Sequence, residues 1–130
     1  MNTAVRYYSR TGNTRIIAET IAKCFDTAAV SVDAEGAALD DGCDVLFIGG
    51  ALYAYGLDKA LAGYLANIDA SKVGKAVVFS TSWLSKHAVD LIKKALAAKG
   101  IDVCEDFFYS RGKPSGKDVK AAEEFAKKFA

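Results

Sequence analysis

An α/β domain built on a doubly wound parallel sheet is the fold class this sequence predicts. Apolar runs of strand length alternate with segments of helical period from one end of the chain to the other. Two of those runs, Val45 to Ile48 and Ala76 to Phe79, are apolar at every position, as expected of strands covered on both faces. The 130 residues carry no proline-rich linker, repeat or low-complexity tract that would divide them. Residues 1–130 therefore read as a single domain with five parallel strands joined by right-handed crossovers.

The first strand, Ala4 to Tyr8, leads to a helix in which Ile17, Ile21 and Cys24 with Phe25 recur at helical spacing, opposite Arg15, Glu19 and Lys23. The second strand, Ala28 to Val32, is more mixed and is followed by Asp33, which suits a sheet edge blunted by charge. The interval from Asp33 to Asp44 is short and weakly patterned, and one helical turn and a plain loop both remain open. After the strand at Val45, Asp58 stands as N-cap of a helix with Ala60, Leu61, Tyr64, Leu65 and Ile68 on one stripe. The strand at Ala76 precedes a helix carrying Leu84, Ala88, Leu91, Ile92, Ala95 and Leu96, closed by Lys99-Gly100. The fifth strand, Ile101 to Tyr109, holds Asp102, Glu105 and Asp106, again an edge. Beyond Pro114, the run Ser115-Gly116-Lys117-Asp118 caps a last helix that buries Val119, Ala122, Phe125, Ala126 and Phe129.

Charge narrows the function classes. Seventeen basic and sixteen acidic residues leave a net charge of +1, too little to attract nucleic acid or an acidic membrane through a global field. No apolar run approaches the roughly 20 residues needed to span a bilayer, and the chain starts into a strand pattern without a signal peptide, so a cytoplasmic protein is expected. Cys24, Cys43 and Cys104 are odd in number, far apart and without a CxxC pair, which predicts buried thiols and neither a disulfide framework nor a metal site.

The chemistry concentrates at Ser9-Arg10-Thr11-Gly12-Asn13-Thr14, between the first strand and the first helix. Hydroxyls, backbone N–H groups and the positive end of a helix dipole there can all face one anion, and Gly12 lets the backbone curl. A ligand in such a sheet sits beyond the carboxyl ends of the strands, where this loop lies. Related phosphate and signalling motifs are excluded. A receiver-type domain needs paired acids after the first strand and an aspartate after the third, where this chain has Tyr7-Tyr8-Ser9 and Gly49-Gly50. No Gly-Lys-Ser/Thr or GxGxxG pattern occupies the first turn.

Ser9 to Thr14 resembles the FMN phosphate loop of the flavodoxin family, Ser/Thr-x-Thr-Gly-x-Thr, at every position. Asp44-Val45-Leu46-Phe47-Ile48-Gly49-Gly50-Ala51-Leu52-Tyr53-Ala54-Tyr55-Gly56 is similar to that family's third strand and flavin loop, with Ala51 in place of its proline. Phe79-Ser80-Thr81-Ser82-Trp83 lies where its fourth strand delivers a second flavin-side loop. The resemblance implies sheet order 2-1-3-4-5 in a three-layer sandwich and noncovalent FMN with one- or two-electron chemistry. By the same resemblance Ser9, Arg10, Thr11, Gly12, Asn13 and Thr14 hold the phosphate. Ala51, Leu52, Tyr53, Ala54, Tyr55 and Gly56 cover one side of the ring, and Thr81, Ser82 and Trp83 meet its edge or other face. Tyr53 and Tyr55 lead as stacking residues, with Trp83 third.

Each residue also has a plainer reading. Arg10 either pairs with phosphate or points to solvent; Tyr53 and Tyr55 could be core or dimer aromatics; Trp83 could pack on the following helix. His87, beside Lys86, reads as a solvated or capping residue before a proton donor, and Arg111-Gly112-Lys113 as a solvated basic cluster. The leading expectation is an electron carrier working between a reductase and an acceptor, without catalytic side chains. The alternatives are an FMN-dependent oxidoreductase acting on a small-molecule acceptor such as a quinone or on a porphyrinogen, and a flavin-less binding module. The broad acidic surface of the family's electron carriers is missing, so docking by that means is not supported.

Overall fold

The computed structural model describes residues 2–53, 56–82 and 86–130. Its elements run β1 (Thr3–Tyr7), α1 (Asn13–Cys24), β2 (Ala29–Ser31), β3 (Cys43–Gly50), β4 (Leu52–Tyr53), β5 (Gly56–Leu57), α2 (Lys59–Asn67), a 3-10 turn (Ala70–Lys72), β6 (Val73–Thr81), α3 (His87–Ala98), β7 (Val103–Ser110) and α4 (Gly116–Lys127). Among the described residues the main sheet is five-stranded and parallel, in the order β2-β1-β3-β6-β7. Counting only its own strands, that order is 2-1-3-4-5, with the second and fifth strands at the edges.

The continuous apolar runs are explained by burial on both faces. In β3 and β6, Val45, Phe47, Val77 and Phe79 turn to one side and join Ile17, Ile21, Ala122, Phe125 and Ala126 of α1 and α4. Leu46, Ile48, Ala76 and Val78 turn to the other and join Leu61, Leu65, Val89, Ile92 and Leu96 of α2 and α3. Burying each large aliphatic or aromatic side chain contributes about 1.5–3 kcal/mol, so these two layers supply most of the driving force for folding.

Close approach at the end of β3 depends on glycine. A Cβ on Gly49 would lie 2.4 Å from the Phe79 ring and 2.5 Å from the Phe79 carbonyl oxygen. The helix ends follow the local signals. Asp58 accepts the Ala60 N–H at 2.8 Å, and Ser115 and Asp118 form a reciprocal capping box. Past α3, Gly100 N–H donates to Ala97 O at 2.9 Å and Ile101 N–H to Leu96 O at 3.2 Å.

Of the two options left open for the interval from Asp33 to Asp44, the structure has the loop: it contains turns and no helix. Its place is held by polar staples: Ala37 O accepts from the buried Arg6 Nε at 2.8 Å and from the Tyr64 hydroxyl at 2.6 Å. Two other features differ from the sequence expectation. Between Leu52 and Leu57 the chain makes a short antiparallel ribbon, β4 with β5, where a plain loop was expected. The three cysteines are half-buried and free, not enclosed in the core. Burial still raises the Cys24 and Cys43 thiols above their ordinary range, which disfavours the thiolate.

Candidate functional site at the carboxyl ends of the strands

The parallel sheet brings the candidate phosphate loop (9–14), the β4–β5 ribbon and the end of β6 to one edge, because β1, β3 and β6 are neighbours with their carboxyl ends together. The register places Tyr7 beside Gly49, and Gly49 beside Phe79. Three segments far apart in sequence therefore start from the same level of the sheet.

The candidate loop turns into α1 through an αL residue. Gly12 is the N-cap of α1 at φ 92° and ψ −5°, a conformation that side chains rarely adopt, and a Cβ there would meet nothing within 4 Å. No side chain caps α1. Its first internal bond runs from Ile16 N–H to Gly12 O at 3.2 Å. Among the described residues the N–H groups of Thr11, Asn13, Thr14 and Arg15 have no acceptor, and the space beside Gly12 is open. Four orphan donors at a helix start, with the positive end of the macrodipole behind them, are what an anion requires.

Two further amides of the loop are engaged, and both by hydroxyl oxygens. Gly12 N–H donates to Ser9 Oγ at 2.9 Å, and Arg10 N–H donates to the Tyr53 hydroxyl at 3.1 Å. The Arg10 guanidinium lies over the Tyr53 ring, 4.1 Å from its centroid, and its Nε donates to Asp58 Oδ2 at 2.9 Å with Nη2 closing the ion pair. Asp58 thus caps α2 through one oxygen and holds Arg10 through the other. The Ala60 amide and then Arg10 keep its carboxyl below the usual aspartate range. The same pair raises Arg10 above its ordinary value.

Beneath the loop, Thr14 Oγ1 and Thr81 Oγ1 are hydrogen-bonded at 2.7 Å, with both residues buried. The Thr81 hydroxyl therefore braces the first turn of α1 against β6. Ser82, also buried, offers its carbonyl to the Tyr109 hydroxyl and so ties the end of β6 to β7. Among the described residues the hydroxyls of Ser80 and Ser110, buried in the same region, have no partner.

The structure thus assembles Ser9, Arg10, Thr11, Gly12, Asn13 and Thr14 with Tyr53, Thr81 and Ser82, while Ala51, Leu52 and Gly56 frame the ribbon, all half-buried. Ala54, Tyr55, Trp83 and Leu84 lie outside the described residues. His87 opens α3 as an exposed residue, and Lys86 Nζ lies 5.8 Å from the ring centroids of both Phe107 and Tyr109. Sequence reading missed the Arg10–Tyr53–Asp58 cluster and the Thr14–Thr81 pair. Asp58 carried a capping signal, but its second partner lies 48 positions away, and nothing local marks it. Clefts elsewhere, such as one of about 550 Å³ between residues 32–40 and the end of α2, share no lining residue with these loops.

No family model matches this chain, and no curated protein matches it in sequence. Solved structures match it in fold. A flavodoxin from the domain Archaea is 20% identical with a TM-score of 0.76, over 100% of this chain and 96% of its own. Oxidised flavodoxin 2 from Bacillus cereus is 23% identical with a TM-score of 0.81, over 99% of this chain and 97% of its own. Rubredoxin oxygen:oxidoreductase from Desulfovibrio gigas is 15% identical with a TM-score of 0.82, over 96% of this chain but 34% of its own length. Among the described residues no helix is long and apolar enough to cross a membrane. At such identities the likeness establishes architecture, and the chain has the flavodoxin-like fold.

Proposed function

We propose that this protein binds FMN noncovalently at the carboxyl edge of its sheet and carries electrons between a reductase and an acceptor. The observation that supports this most strongly is the uncapped start of α1, where four amide N–H groups around Gly12 have no acceptor among the described residues. A phosphate group fits that donor set in charge, in hydrogen-bonding capacity and in the open space beside Gly12. When bound, FMN supplies reversible electron storage at its ring.

The remaining work falls to the chain. The amides of residues 11 and 13–15 hold the phosphate, and Thr14, braced on Thr81, keeps the first turn of α1 fixed while it is held. Tyr53 offers an aromatic face to the ring, and the β4–β5 ribbon carries it there. A net charge of +1 favours partners that dock through local contacts instead of a broad acidic surface.

Anaerobic reductive titration of the protein with added FMN tests the reading. The expected result is a bound flavin spectrum that is reduced and reoxidised in step with a protein electron donor and acceptor. Thr11→Ala combined with Thr14→Ala is expected to weaken FMN binding by about tenfold or more, through loss of the Thr11 hydroxyl and of the Thr14–Thr81 brace that fixes the first turn of α1. Unchanged affinity in that double variant contradicts the site, and steady turnover of a small molecule without protein partners contradicts the carrier role.

A further inference from the structure

The Tyr53 hydroxyl occupies the Arg10 amide, which belongs to the loop proposed to hold phosphate. Resting on the FMN reading above, we propose that Arg10, Tyr53 and Asp58 form a latch across the phosphate loop, and that phosphate entering the loop opens it and releases the Tyr53 ring for stacking. Three contacts carry this. Arg10 N–H, an amide of the phosphate loop, donates to the Tyr53 hydroxyl at 3.1 Å. The Arg10 guanidinium covers one face of the Tyr53 ring at 4.1 Å from the centroid. Asp58 fixes that guanidinium through Nε at 2.9 Å and through Nη2, while itself anchored to the Ala60 amide at 2.8 Å.

Every part of this arrangement is sensitive to an incoming dianion. An amide has one hydrogen, so Arg10 N–H serves either the tyrosine oxygen or a phosphate oxygen at full strength. A charged acceptor forms a bond roughly twice as strong as a neutral phenol does, so phosphate wins the amide. The guanidinium, exposed by about half, exchanges a singly charged carboxylate for a doubly charged group beside it. Once both contacts are lost, no other contact among the described residues holds the Tyr53 ring on the Arg10 side, and the ribbon that carries it is only two residues long in each strand. Phosphate recognition and ring recognition are thereby coupled, with the phosphate acting first.

The test uses inorganic phosphate as probe on the full chain stripped of bound nucleotide, followed by calorimetry and by the Arg10 amide resonance. Tyr53→Phe removes the competing oxygen and keeps the ring. The expected result is phosphate binding about fivefold tighter than in the unaltered protein, with the Arg10 amide already shifted before phosphate is added. Asp58→Asn, which releases the guanidinium by a different route, is expected to tighten phosphate binding in the same direction. Equal affinities in all three proteins overturn the latch while leaving the FMN reading intact. Weaker binding in Tyr53→Phe overturns it by making the hydroxyl a phosphate ligand. Folded protein that binds neither phosphate nor FMN overturns latch and FMN reading together.

Discussion

Thr14 and Thr81 join their hydroxyls at 2.7 Å in a buried position, linking the first turn of α1 to the carboxyl end of β6. The pair is 67 residues apart in sequence and sits directly under the candidate phosphate site. Replacing either residue by Val strands a buried hydroxyl, at a cost of about 1–3 kcal/mol, whereas replacing both removes the donor and the acceptor together. A double-mutant cycle in urea is therefore expected to give a coupling of about 1 kcal/mol, with the double variant more stable than the sum of the single losses allows. Strict additivity would show that the two hydroxyls act independently.

Acid should loosen the loop cluster before it unfolds the protein. Asp58 has a folded-state pKa depressed by the Ala60 amide and by Arg10, so its stabilisation is present above its unfolded value and is lost as pH falls through the folded one. The window thus lies below an ordinary aspartate value of about 3.9. Asp58→Ala removes the helix cap at all pH values, at a cost of about 1 kcal/mol near neutrality, and flattens this acid limb of the stability curve. An unchanged acid limb in the variant would show that Asp58 contributes nothing to it.

Gly49→Ala should be among the most disruptive single-methyl substitutions. The added Cβ falls 2.5 Å from a backbone oxygen of β6 as well as 2.4 Å from the Phe79 ring, so a side-chain rotation alone does not relieve it. The expected cost is about 1–3 kcal/mol or more, read from the urea midpoint. A loss of only a few tenths would mean that β3 and β6 separate easily at their carboxyl ends.

The sheet was legible because its signals are local and redundant. Val45 to Ile48 and Ala76 to Phe79 are apolar without alternation because both faces of those strands are covered, and the caps at Asp58 and Ser115 sit where the sequence marks them. The turn from Ser9 to Thr14 between β1 and α1 was legible for the same reason, since it is one continuous stretch. What the sequence hid depends on distant partners. Arg10 meets Asp58 and Tyr53 only after β1 and β3 pair, and Arg6 reaches the Ala37 carbonyl across 31 positions. The helix expected as one option between Asp33 and Asp44 is absent because Arg6 and Tyr64 satisfy Ala37 O there without one. The ribbon from Leu52 to Leu57 escaped because two-residue strands carry no periodicity.

Parallel titrations of the protein with FMN and with riboflavin, followed by quenching of flavin fluorescence, test the central claim most directly. The two ligands share a ring and differ by the phosphate that residues 9–14 are proposed to hold. A preference for FMN of at least about a hundredfold is predicted, reduced about tenfold in Thr11→Ala with Thr14→Ala. Equal affinity for the two flavins, or binding of neither by the folded protein, would contradict the account.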